Sequence, residues 1–151
     1  MHKWTITTTA TGKKRQVQVI LYERLQDLRG AVTKYENKNG KSEHLDADVI
    51  AICHSFFTQK IGKKQEVELE YPLVNIIRLS REYLTPMIIA HEFAHAAQHI
   101  YGLDYLMSWK NPMNGANEEF AEIYGELFNA FWPMIHTQVT FKNSNRTTIK
   151  I

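Results

Sequence analysis

The sequence predicts an α+β domain, on three observations. Residues 16–22 and 65–71 alternate apolar and polar side chains with the period of two expected of half-buried strands. Leu25, Leu28, Val32 and Tyr35 recur at helical spacing. Two further helical stretches, from residue 86 to 101 and from about 115 to 132, carry clustered histidines and glutamates.

The elements follow in order. Thr5 to Thr9 is a β-branched strand, and Gly12-Lys13-Lys14 turns the chain into the strand Gln16 to Tyr22, with Val17, Val19 and Leu21 on its apolar face. Glu23 to about Asn37 is a helix despite Gly30, and Asn37 to Gly40 ends it in a loop. Val49 to Phe57 is apolar enough for a buried strand, with a short helix as the alternative. Gln65 to Tyr71 is a strand with Lys60 to Lys64 as its turn, and Val74 to Ser80 is another. Thr85-Pro86 supplies an N-cap and a proline at the first helical position, so a helix runs to Tyr101, where Gly102 is placed to close it. Leu103 to Asn114 is a loop. A last helix runs from about Gly115 to Trp132, stopped or kinked by Pro133, and 137–141 and 147–151 form terminal strand or tail.

A chain of 151 residues, 44 % hydrophobic and 23 % charged, suits one compact domain over 1–151 that buries a core without disulfides. No stretch nears the roughly 20 apolar residues of a membrane span, and the N-terminus lacks the apolar core of a signal peptide. Cys53 is the sole cysteine, as expected in a reducing compartment, so a cytoplasmic protein with no membrane partner is expected. The formal charge is +2, and the basic runs Lys13-Lys14-Arg15 and Lys60 to Lys64 lack interleaved aromatics. They read as solvated turns, and nucleic acid is not expected as the main ligand.

The chemistry concentrates in His91-Glu92-Phe93-Ala94-His95. Residues four apart share a helix face, so two imidazoles can turn their nitrogens to one ion, and tetrahedral Zn2+ accepts them at roughly 2.0–2.1 Å. Glu92, rotated around the helix, is placed to take a proton from a zinc-bound water as general base. A third ligand is expected from Asn117-Glu118-Glu119-Phe120-Ala121-Glu122. Glu118 is favoured because Glu122, one turn on, can then accept a ring N–H from a liganding histidine; Glu119 is the alternative.

His91-Glu92-x-x-His95 followed by Asn117-Glu118-x-x-Ala121-Glu122 resembles the gluzincin metallopeptidases, whose ligand glutamate follows an asparagine in a second helix. The likeness covers Val74 to Trp132. Among small intracellular members it resembles the ImmA/IrrE and SprT-like groups, and Glu118, Ala121 and Tyr124 are closer to ImmA/IrrE. The resemblance implies a zincin-like fold, with a small mixed sheet packed on the H-E-x-x-H helix and the glutamate helix. It implies His91, His95 and Glu118 as zinc ligands, Glu92 as base, and a protein or peptide substrate paired with a sheet edge above the metal. It leaves the oxyanion-holding group open among Tyr101, Tyr105, Tyr124 and His136. The alternative function is a zinc-binding interaction module, for a host protein or nucleic acid, without peptidase activity. Glu92 argues against that alternative, since a structural zinc needs no base and is usually closed by four protein ligands.

His99 continues the His91, His95 series but lies about 12 Å along the axis from His91, too far to share its ion. It reads as a packing or surface residue, with substrate contact as the alternative. Cys53 and His54 would face opposite sides of a strand, so they form no nucleophile–base pair. Phe120, Tyr124, Phe128, Phe131 and Trp132 are expected to pack on the motif helix. Met107 and Trp109 either line the cleft or anchor their loop, and Glu126 reads as solvated.

Overall fold

The computed structural model describes residues 1–39, 48–106, 118–135, 140–142 and 148–150. The strands are β1 (His2–Thr8), β2 (Arg15–Tyr22), β3 (Ala51–Ser55), β4 (Gln59–Ile61), β5 (Val67–Glu70), β6 (Leu73–Ser80), β7 (Thr140–Lys142) and β8 (Thr148–Lys150), and the helices are α1 (Leu25–Lys38), α2 (Pro86–Tyr101) and α3 (Glu118–Ile135). The fold is α+β. A mixed four-stranded sheet has the order β1-β2-β6-β3; β2 and β6 are parallel, and the outer strands pair antiparallel to them.

The central strands are covered on both faces, which is why they carry long apolar runs. Alternation sends Val17, Val19, Leu21, Ile77 and Leu79 to one face, where α2 and α3 bring Ile89, Phe93, Ala96, Ile100, Ile123, Leu127 and Phe131. Ile20 and Tyr22 face the other way and meet Leu28 and Val32 of α1. The aromatic row of α3 packs as expected: Phe93 meets Phe128 and Phe131 at centroid distances of 6.1 and 5.0 Å.

Several expectations need correction. Val49 to Phe57 is a strand only over β3, and it is the half-buried edge of the sheet rather than a central strand. Lys60 lies within β4; β4 and β5 form a separate hairpin whose Ile61, Val67 and Leu69 are exposed. α2 does end at Tyr101 with Gly102 as its C-cap, but the cap is right-handed, with φ −59°, and the expected loop from Leu103 begins as a π-helical turn over Gly102–Leu106. Pro133 lies inside α3, which runs on to Ile135. Proline deprives the carbonyl four residues back of its partner, and Asn129 there is exposed, so water can serve it.

Arg15 is not a solvated turn residue. Its side chain is 3 % exposed and its guanidinium lies 2.5 Å from Asp104, itself 2 % exposed, in the turn after α2. Among the described residues, no helix is long and apolar enough to cross a membrane.

Candidate functional site

The motif helix starts at a built cap. Thr85 Oγ1 accepts from the Ile88 amide at 3.1 Å, and Pro86 occupies the first turn. From that start, Ile89, Phe93, Ala96, Ala97 and Ile100 fall on the buried face, while His91 and His95 stand on the exposed one. Their Nε2 atoms are 3.1 Å apart and the rings meet edge to face. Two nitrogens bound to one tetrahedral zinc stand about 3.3 Å apart, so the pair is nearly at the spacing of two ligands.

Glu92 is at the boundary of the two faces, 6 % exposed. Burial pushes its carboxyl above the ordinary carboxylate range, with His91 pulling it back in part. The three side chains open into a cleft of about 620 Å³ between α2 and β3, whose walls also include Cys53, Ser55, Gln98 and His99. A second hollow of about 360 Å³ adjoins it at His91 and Glu92 and is walled by Val49, Ile50, Met87 and Ile88, with Asp48 at its margin. The cleft therefore has a polar arm toward the end of β3 and an apolar arm toward its start.

Glu118 is the first residue of α3 and is exposed, as is Glu122. Tyr124 ties that helix to the motif helix, its hydroxyl donating to the Ala90 carbonyl at 3.1 Å, one residue before His91. Among the described residues, however, no group of three or more His, Cys, Asp or Glu side chains is close enough to hold a metal. The two histidines are brought together, and Glu118 is not joined to them in such a set. Glu119 and Glu122 instead act on Tyr105, whose hydroxyl is raised first by burial and then by these carboxylates. Glu126, expected to be solvated, accepts from the Thr9 amide at 3.0 Å and ties α3 to the turn after β1.

No family model, curated protein or solved structure matches this chain.

Of the oxyanion candidates, Tyr101 is buried in the core and Tyr124 is spent on Ala90. His136 lies outside the described residues, as do Met107 and Trp109. Cys53 and His54 do face opposite sides: Cys53 borders the cleft, whereas His54 lies against Tyr35, ring centroids 3.9 Å apart and tilted by 32°, near Glu36. Burial, then the Glu92 charge, pushes the Cys53 thiol up to about 12. Native protein at pH 8 should therefore alkylate very slowly with iodoacetamide and react fully once unfolded in urea. Rapid modification of the native chain, followed by mass spectrometry, contradicts this burial.

One residue behind the cleft wall was not singled out by the sequence. Asn75 is fully buried on β6 and donates to Ser55 Oγ at 2.8 Å and toward Cys53 Sγ at 3.5 Å. A polar residue in the middle of the apolar run Val74-Asn75-Ile76-Ile77 was the available signal, because a buried amide must find partners.

Proposed function

We propose that this protein is a zinc-dependent peptidase with a zincin-like catalytic centre, in which Glu92 is the general base. The reading is carried by one observation: a buried carboxylate lies beside two imidazoles whose Nε2 atoms converge at 3.1 Å, all in a cleft under a sheet edge. His91 and His95, with Glu118 as third ligand, would hold the metal. Bound there, zinc would acidify a water and polarise the scissile carbonyl.

The chain's own residues supply the rest. Glu92 takes a proton from the attacking water and passes it to the leaving amine. Its burial favours this cycle, because a carboxylate held in low dielectric is a stronger base than one in water. Among the described residues β3 pairs on one side alone, with β6, so its outer main-chain groups can take an extended peptide as an added antiparallel strand. Such a peptide lays its residues after the scissile bond along the apolar arm, and bulky apolar side chains fit there.

The reading is tested on the metal first. Wild-type protein should bind about one equivalent of zinc and hydrolyse a peptide library, and His95→Ala should lose the metal and the hydrolysis together. Metal-free wild-type protein, purified without chelator and refractory to added zinc, rejects the proposal. The competing reading is an interaction module that holds zinc without turnover. It draws on the absence of a third ligand beside the histidines among the described residues. It predicts peptide binding by the wild type with no product.

A further inference from the structure

His99 stands four residues beyond His95, half-buried, on the wall of the polar arm. Its Nδ1 is 3.3 Å from Asn75 Oδ1. The Asn75 amide nitrogen is directed at Ser55 Oγ, 2.8 Å away, so the atom it turns to His99 is an acceptor. That acceptor favours the proton on Nδ1, which leaves the lone pair on Nε2. Desolvation, and after it Arg15, pushes the imidazole below its ordinary range against the opposing pull of Asp104, so the ring is neutral at pH 7.

We propose that His99 is a specificity-determining residue: its Nε2 accepts a hydrogen bond from a hydroxyl or amide side chain of the peptide substrate, with Asn75 as the positioning residue that fixes the tautomer. The inference rests on the proposed peptidase for its ligand. Four helical residues advance about 6 Å from His95, and two residues of an extended strand advance about as far. The polar arm lies at the end of β3, so a peptide antiparallel to β3 sets its amino-terminal side there. The residue selected is therefore about two positions before the scissile bond. The acceptor role disfavours Asp and Glu at that position, because a carboxylate offers no donor to a lone pair.

Two measurements test this. In ¹⁵N-resolved imidazole spectra of the full chain at pH 7.5 (a chosen assay value well above the ordinary histidine range), His99 should carry its proton on Nδ1. Asn75→Leu should shift the ring toward the Nε2-protonated form common in free histidine. If Asn75→Leu does not fold, Asn75→Asp, which keeps an acceptor at that place, must keep the Nδ1 form. A wild-type ring protonated on Nε2 overturns the proposal.

The second measurement is binding of a positional peptide library to zinc-loaded Glu92→Gln protein, with and without His99→Ala. Preference for Ser, Thr, Asn and Gln at the one position should fall about tenfold in the His99→Ala background, the worth of one hydrogen bond, with other positions unchanged. His99→Phe, which keeps the ring volume, replaces it if the alanine variant is unstable. A uniform loss across all positions, or no binding at all, overturns the proposal. Binding with the expected preference by a wild type that forms no product overturns the peptidase reading alone.

Discussion

Replacing Glu92 with glutamine is expected to lower peptide hydrolysis by about 10²–10⁴-fold, the usual contribution of a positioned general base. Glutamine matches glutamate in shape, so the packing around a side chain only 6 % exposed is preserved. What is lost is the site that receives the proton. His91 and His95 keep their places on the helix, so zinc stoichiometry should be unchanged, which separates this variant from His95→Ala. Stability should not fall either, because a carboxyl that burial already holds above its ordinary range gives up a desolvated charge. Glu92→Asp is the finer probe. It keeps the charge but withdraws the carboxylate by roughly one methylene, and a displacement of about 1 Å can cost 10²-fold. Turnover by Glu92→Gln close to wild type would reject Glu92 as the base.

The parts of this structure that were legible are the local ones. The alternation of Val17, Val19 and Leu21 marked β2, and Thr85-Pro86 marked the start of α2, because period and capping are properties of a few adjacent residues. The pair His91 and His95 was legible for the same reason: four-residue spacing on a capped helix fixes their separation. What depended on distant partners was not. Nothing near Ala51 to Ser55 says that this strand is the edge bordering the cleft, since strand order is decided by pairing with β6. His99 looked like packing because Asn75, which holds its ring, is 24 residues away. Arg15 looked solvated because it follows two lysines, while its partner Asp104 is 89 residues on. The position of Glu118 relative to the histidines is likewise a matter of how α3 meets α2, which no local pattern sets.

Asp104→Ala is expected to produce the largest loss of stability, about 3–5 kcal/mol, because it leaves a buried guanidinium without its counter-charge. The pair joins the first residue of β2 to the π-helical turn after α2, with Arg15 Nε and Nη2 both donating to the carboxylate and the Thr11 hydroxyl adding a third bond. Glu70, 3.5 Å from Arg15 but 35 % exposed, can compensate only in part, which favours the lower end of that range. In thermal unfolding the loss corresponds to roughly 6–20 °C for a chain of this size. The double variant Arg15→Met with Asp104→Leu removes both charges, fills much of the volume, and should be close to wild type in stability. A double variant as unstable as Asp104→Ala would show that the hydrogen bonds, not the unpaired charge, carry the effect. The same comparison reaches the cleft. Arg15 and Asp104 act on the His99 ring with opposite signs, so removing Asp104 alone makes His99 still harder to protonate, whereas removing both takes the opposing Arg15 charge away as well. The ion pair thus anchors the end of the motif helix to the sheet and sets two opposing charges on His99, and the two effects separate in the two variants.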